Sequence, residues 1–135
     1  MGSQAMDSGA TMLDAAVAFD NKSQLERVQS YLITGETLFA VYSCKSTIGI
    51  SFAGFTDRRV ILYDLGFHTN QKSMLTVPYH RIQAVVAKDE GQFMKNREIT
   101  LITDAGRFVL EFIGADQAAS AYRLVISRVM GLVNT

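Results

Sequence analysis

Tryptophan is absent from this chain of 135 residues, proline and cysteine occur once each, and the charges cancel. The single cysteine, Cys44, excludes an intramolecular disulfide, and because it lies in an apolar run we expect it to be a small buried side chain. Thirteen basic and thirteen acidic residues balance, whereas proteins that bind nucleic acid across their surface carry an excess of Lys and Arg. We therefore predict a cytoplasmic protein that does not bind nucleic acid.

Long apolar stretches are also missing. A membrane-spanning helix needs about 18 consecutive apolar residues, and a signal peptide needs a basic region followed by an apolar one. Neither pattern occurs, so we expect no transmembrane helix and no secretory leader. Residues 1–10 begin with Met-Gly-Ser-Gln-Ala, and we interpret them as a tag remnant or a disordered segment.

The residues that are present predict one folded domain with a helical segment before it. Hydrophobic residues make up 48% of the chain and charged residues 19%, as in ordinary globular proteins. Residues 11–34 have helical spacing in two pieces, the second starting at a capping box formed by Ser23 and Glu26. Gly35 follows the last periodic residue and can end a helix. We expect residues 11–34 to form an N-terminal helical segment and residues 35–135 to form the main domain.

The pattern after Gly35 changes from helical to extended, with turn residues between the apolar runs. The last two runs form the clearest hairpin, in which Gly106 supplies a positive φ in the turn. The run that starts at Ile82 follows Pro78 and precedes acidic residues, which is typical of an edge strand. Seven strands are predicted, over residues 38–45, 51–56, 59–64, 73–77, 82–88, 98–103 and 107–112.

The chain is predicted to end in a helix over residues 115–132. Its apolar side chains recur at intervals that place them on one stripe, broad enough to cover the open end of a barrel. The stripe consists of Ala118, Ala121, Tyr122, Val125, Val129 and Leu132.

Seven antiparallel strands followed by one amphipathic helix resemble a pleckstrin-homology-like (PH-like) barrel. Three short sequence phrases narrow the resemblance to the bacterial PH-like domain families. In those families a G-E pair, a T-x-x-R motif before an apolar strand, and an I-P-Y-x-x-I motif recur. The resemblance implies a mainly β fold of two near-orthogonal sheets, capped by the C-terminal helix. It also implies an unassigned biochemical role, and several similar proteins assemble into rings or other oligomers. The phrases here are Leu32-Ile33-Thr34-Gly35-Glu36, Phe55-Thr56-Asp57-Arg58-Arg59-Val60-Ile61-Leu62-Tyr63-Asp64 and Val77-Pro78-Tyr79-His80-Arg81-Ile82.

The chain departs from PH domains that bind phosphoinositides. Lys45 matches the lysine that those domains have in their first strand. Phe52 to Phe55 stand where those domains have a basic motif in the second strand, and the tryptophan of their C-terminal helix has no counterpart in this chain. In the PH-like arrangement, loops from three hairpins gather at one barrel end. Here that end is either a locally basic binding surface or, as we favour, a set of ordinary solvated loops. Apolar loop residues nearby, including Ile50 and Met74, suggest contact with another subunit or a membrane. The candidate ligand-binding residues are Lys45, Ser46, Thr47, His68, Lys72 and Arg107.

Other site types find little support in the residues. The turn containing Arg58 and Arg59 is either an anion site or, as we favour, a structural turn in which Thr56 and Asp57 bond the backbone. The two histidines, His68 and His80, are too far apart in sequence to suggest a metal site. No nucleophile motif or phosphate-binding glycine loop occurs, so we predict no enzyme activity, cofactor or metal.

Three functions remain as hypotheses. The first is an interaction module that self-associates or binds another protein, as the resemblance and the extra N-terminal segment indicate. The second is binding of an anionic lipid or phosphate ligand through the basic loops, with weak contact to an anionic membrane surface. The third is capture of a peptide that adds a strand to the edge at residues 82–88.

Overall fold

The computed structural model describes residues 17–45, 49–66, 71–88 and 97–131. This part of the chain forms eight strands, two α-helices and one short 3-10 helix. In chain order they are β1 (Ala18–Phe19), α1 (Lys22–Gln29), β2 (Leu38–Ser43), β3 (Ile50–Thr56), β4 (Arg59–Asp64), β5 (Ser73–Pro78), the 3-10 helix (Tyr79–Arg81), β6 (Ile82–Ala87), β7 (Glu98–Thr103), β8 (Gly106–Glu111) and α2 (Ala115–Val129).

The seven predicted strands correspond to β2 to β8, and the predicted C-terminal helix corresponds to α2. Within each sheet these seven strands pair antiparallel with one another. Gly106 has a φ of 130° in the turn between β7 and β8, as the sequence predicts. Apolar runs bounded by turn residues thus located the strands, including β3, which is buried at nearly every position.

The strands form two sheets, one in the order β1-β2-β3-β4-β5 and the other in the order β6-β7-β8. Among the described residues, an antiparallel bridge between Cys44 and Phe112 joins them at one corner, where the Lys45 amide also donates to the Glu111 carbonyl at 2.8 Å. At the opposite corner β5 leads through the 3-10 helix into β6, and the described residues form no ladder between these strands. The predicted barrel is therefore joined along one seam and open along the other.

The main core lies between the two sheets and is covered by α2. Ala118, Ala121 and Val125 of that helix are buried, and Tyr42 and Phe55 pack around the ring of Phe112. The predicted apolar stripe is wrong at Tyr122, which is 37% exposed because it lies at the margin of the buried face. Leu132 of the same stripe lies outside the described residues.

The N-terminal segment differs from the predicted pair of helices. Residues 18–19 form β1, which pairs in parallel with β2, and the first predicted helical piece otherwise lies outside the described residues. The predicted capping box is also wrong, because α1 begins at Lys22 with Asn21 as its N-cap. The Asn21 carboxamide oxygen accepts from the Gln24 amide at 3.1 Å and from the Ser23 hydroxyl at 2.7 Å, so Ser23 supports the cap instead of forming it.

Helix α1 packs on the outer face of its own five-stranded sheet. Leu25 and Val28 are buried there in a second core, defined by Val17, Leu25, Val28, Leu38, Val41, Phe52 and Ile61. Gly54 on β3 makes this close approach possible, because a Cβ atom at that position would lie 2.8 Å from a methyl group of Val28. None of the described helices is long and apolar enough to span a membrane.

Replacing Gly54 by alanine should therefore push α1 away from the sheet. We expect G54A to lower the free energy of unfolding by about 1–3 kcal/mol, as other overpacked cores do, since the branched Val28 side chain has little rotamer freedom. Urea denaturation of G54A, V28A and the double variant measures the coupling. The double variant should lose less stability than the sum of the losses in the two single variants. Strictly additive losses would contradict the steric explanation.

Candidate functional site

The most connected polar cluster is an ion pair between Glu36 and Arg59. The Arg59 Nε atom lies 2.8 Å from one carboxylate oxygen of Glu36, and its Nη2 atom lies 2.9 Å from the other. The Glu36 side chain has no solvent exposure. The carboxylate also accepts from the Thr56 hydroxyl at 2.7 Å and from the Ile33 amide at 3.1 Å. Four donors thus satisfy a buried carboxylate, which is the condition for a stable buried charge.

These contacts fix the charge of Glu36. Burial raises the pKa of the carboxyl, but the hydrogen bonds from Arg59, Thr56 and Ile33 outweigh burial and lower the pKa to about 2. The same hydrogen bond from Arg59 to Glu36 raises the pKa of the guanidinium, against the effect of burial. Both groups are therefore charged at neutral pH.

Arg59 extends the cluster to two further elements. Its Nη2 atom donates to the Tyr31 carbonyl just after α1, and its Nη1 atom donates to the Thr76 hydroxyl on β5, both at 2.8 Å. The Tyr79 hydroxyl donates to the Thr56 carbonyl at 2.8 Å, and burial raises the pKa of that phenol. The ion pair and its neighbours therefore connect α1, the β3–β4 hairpin, β5 and the 3-10 helix.

The turn residues behave structurally, with one difference from the prediction. The Thr56 hydroxyl accepts from the backbone amides of Arg58 and Arg59, each at 3.0 Å, as expected for a side chain that bonds the turn backbone. Asp57 does not do so. Its carboxylate accepts from the Thr37 amide at 2.9 Å, because the chain entering β2 lies beside the turn and needs a partner for that N–H.

Three of the six candidate ligand-binding residues, Ser46, Thr47 and His68, lie outside the described residues. Of the others, Lys45 lies 3.5 Å from the Glu111 carboxylate, and Lys72 is exposed just before β5. Arg107 is exposed at the start of β8, four residues or roughly 13 Å along that strand from Glu111. Nothing among the described contacts brings Arg107 to Lys45, so the shared anion site remains a prediction.

The expectation that Ile50 forms an intermolecular contact is wrong, because Ile50 is 2% exposed and belongs to the main core. Met74 is half-buried and packs against the second core under α1, so an intermolecular contact at Met74 stays a prediction.

Catalytic or metal-binding groups do not converge in the described part of the chain. Within it, no three His, Cys, Asp or Glu side chains lie close enough together to hold a metal ion. Cys44 is buried, and burial, with smaller effects of Asp20 and Glu111, raises the pKa of its thiol to about 12. A thiol in that state is a poor nucleophile at neutral pH.

The described surface has one poorly protected strand edge. β6 is the outer strand of the three-stranded sheet, and only Ile82 of its six residues is buried. The strand contains no charged residue and no proline within its bounds, although these are the usual protection of edge strands. Val86 is 39% exposed on this edge. An edge of this kind can accept another strand.

The family assignment follows from a family-model comparison. The model for the bacterial PH domain matches residues 8–129, which includes the N-terminal segment as well as both sheets. The chain belongs to the bacterial PH domain family.

Several known proteins resemble this bacterial PH domain. The uncharacterized protein YozO of Bacillus subtilis (strain 168) is 24% identical over 87 residues, which is 64% of this chain and 73% of YozO. A DUF1696 family protein with a pleckstrin-homology domain from Shewanella loihica PV-4 is 19% identical, with a TM-score of 0.59 over 84% of this chain and 96% of that chain. A pleckstrin-homology domain from Shewanella amazonensis SB2B is 20% identical, with a TM-score of 0.55 over 79% of this chain and 99% of that chain. At these identities the solved structures support the fold.

The three phrases that carried the resemblance meet at the Glu36–Arg59 cluster of this PH domain. Gly35 has a φ of 84°, which is favoured by glycine, and places Glu36 beside the T-x-x-R turn. The hydroxyl of Tyr79, in the third phrase, donates a hydrogen bond to the Thr56 carbonyl. Sequence reasoning found the three phrases but missed their partnership, since Glu36 and Arg59 are 23 positions apart.

Removing the charge of Glu36 should destabilise the PH domain in a pH-dependent way. We expect Glu36→Gln to lower the free energy of unfolding by about 2–4 kcal/mol at pH 7, because Arg59 loses its counter-charge. Since the folded pKa of Glu36 is about 2 and its ordinary value is 4.5, this contribution is present above pH 4.5 and disappears as the pH falls toward 2. Urea denaturation from pH 7 to pH 2 should show the wild type and the variant converging.

Glu111→Gln is the matched control. Its partner Lys45 is 48% exposed, and exposed ion pairs contribute less than about 1 kcal/mol, so this variant should stay close to the wild type at every pH. Equal losses in the two variants, or a constant loss for Glu36→Gln down to pH 2, would contradict the role assigned to the buried pair.

Proposed function

We propose that this PH domain is a non-enzymatic interaction module that self-associates through β6. The observation that carries the proposal is the exposed apolar edge at Ile82–Ala87, with Gln83, Ala84, Val86 and Ala87 exposed. An unprotected edge presents N–H and C=O groups that another strand satisfies by continuing the ladder.

A second copy of the chain supplies a matching strand. Two β6 strands related by a two-fold axis run antiparallel. Each contact between two positions is then made twice, once in each direction across the interface. The two three-stranded sheets then become one continuous sheet across the interface. A pair of six-residue edges buries less than a standard interface of about 1,600 Å², so association is expected at high protein concentration and not at trace levels.

Val86→Lys tests the self-association. Lysine on an edge strand is a common barrier to strand pairing, and a lysine brought into the interface by each copy adds like charges. We expect the dissociation constant measured by sedimentation equilibrium to rise at least roughly tenfold, equivalent to about 1.4 kcal/mol. Ile113→Lys is the control, since Ile113 is 46% exposed but lies outside β6. A strict monomer at about 1 mM wild-type chain, or equal effects of both variants, would overturn the proposal.

Binding of an anionic ligand at the loop end is the second candidate function. The Leu65 amide donates to the Gly49 carbonyl at 2.8 Å, so the β2–β3 and β4–β5 connections, which carry Lys45 and Lys72, meet at the same end of the sheet. This supports a shared basic surface for a lipid headgroup or a phosphate. Lys45 is already paired with Glu111, which weakens its contribution.

Vesicle co-sedimentation tests this second function. Binding to vesicles that contain phosphatidylserine should weaken roughly fivefold for each lysine converted to glutamate in Lys45→Glu and Lys72→Glu, since one basic residue near an anionic surface is worth about 1 kcal/mol. Arg81→Glu is the control, because Arg81 is exposed in the 3-10 helix beyond the far end of β5. Equal binding of all variants would remove the idea, and competition by inorganic phosphate would favour a free phosphate over a lipid.

A further inference from the structure

Helix α2 carries a second, partly exposed face, on which Leu124 packs against the margin of the main core and Ser120 accepts a hydrogen bond from the Tyr42 hydroxyl. Ser120, Arg123, Leu124 and Ser127 follow one another at helical spacing, and they line a groove of about 290 Å³ together with Phe39 and Arg128. The buried face of the same helix, with Ala118, Ala121 and Val125, points into the domain. The groove therefore lies between α2 and the strand β2.

A second concavity of about 440 Å³ adjoins the groove. The two share Ser127 and Arg128, and the second is also lined by Asp57, Arg58 and His80. Met130, which is 63% exposed, adds an apolar side chain at its wall. We call the two concavities together the α2 groove.

The α2 groove is basic although the chain as a whole is neutral. Among the described residues, Arg58, Arg123 and Arg128 line it together with one carboxylate, that of Asp57. Three positive charges and one negative charge give a local excess of two positive charges. A concave surface with one dominant sign of charge attracts ligands of the opposite sign.

Two of these arginines are held in defined positions. The Arg128 guanidinium lies over the ring of Phe39, 4.9 Å from its centroid, in a cation–π contact. The Arg58 Nε atom is 3.8 Å from the Asp57 carboxylate, with the side chain 50% exposed. A guanidinium has five N–H donors, so both retain the capacity to bind a carboxylate.

The shape of the α2 groove indicates a chain and not a single small anion. From Ser120 to Val129 the helix rises roughly 14 Å, the length of about four residues of extended peptide. The lining combines arginines with apolar side chains, namely Phe39, Leu124, Val129 and Met130. A ligand that fills the groove therefore needs both negative charge and apolar groups.

We propose that the α2 groove binds an acidic, extended peptide segment of a partner protein, in which carboxylates alternate with apolar residues. The carboxylates contact Arg58, Arg123 and Arg128, and the apolar residues of the peptide contact the apolar side chains of the lining. This surface is separate from the β6 edge, so the inference does not depend on self-association.

The experiment uses the full chain and a fluorescein-labelled peptide of sequence Glu-Leu-Glu-Leu-Glu, followed by fluorescence anisotropy. We expect saturable binding below about 1 mM that weakens when NaCl is raised, because exposed charges are screened. Arg123→Glu should weaken binding at least roughly tenfold, since it replaces attraction by repulsion in the groove. Arg123 is exposed, so this variant should fold normally.

Two controls make the outcome decisive. Lys22→Glu makes the same charge change at the exposed first residue of α1 and should leave the affinity within about twofold. The peptide Gln-Leu-Gln-Leu-Gln should bind at least roughly tenfold more weakly than the acidic one. No binding at about 1 mM, equal binding of both peptides, or equal effects of Arg123→Glu and Lys22→Glu would overturn the proposal. The proposal would also be overturned if Arg123→Glu abolished binding to anionic vesicles but left the peptide bound.

Discussion

The ion pair between Glu36 and Arg59 is the interaction on which the arrangement of this PH domain depends. A charge withdrawn from solvent is tolerated only when its partners satisfy it fully, and Glu36 meets that requirement with four donors from three residues. Arg59 in turn reaches the chain after α1 and the strand β5. Neither residue can be removed alone without leaving the other charge buried, so the pair specifies how the N-terminal segment, the first hairpin and β5 come together.

This role changes the interpretation of the most recognisable residues of the family. Arginines in a turn suggest an anion site, but Arg59 is already bound by a carboxylate from within the domain. The adjacent Arg58 has a weaker contact with Asp57 and faces the α2 groove. The same turn thus contains one arginine that holds the fold and one that is half exposed. The two are neighbours in sequence, and they differ because Arg59 has the buried Glu36 carboxylate as its partner whereas the Arg58 side chain is 50% exposed.

The sequence predicted β2 to β8 and α2 closely because their signals are local. Alternation of apolar residues and the turn at Gly106 each involve only a few neighbouring positions. It failed at β1, since a strand of two residues has no periodicity and depends on pairing with β2, 22 positions away. It placed the cap of α1 at Ser23 because Asn21 and Ser23 are both good capping residues. The α2 groove was also missed, because Phe39, Arg58 and Arg128 are brought together only by the fold.

The two proposed surfaces are joined by the 3-10 helix. It presents His80 to the α2 groove and leads directly into the edge strand at Ile82. Its first residue, Tyr79, is buried and bonded to the Thr56 carbonyl, within the network of the Glu36–Arg59 pair. The groove and β6 have no residue in common, and a ligand shifts an equilibrium only between states for which its affinities differ. Occupation of the groove and pairing of β6 are therefore expected to be energetically independent, so that an assembled domain retains the affinity of the single chain for an acidic segment.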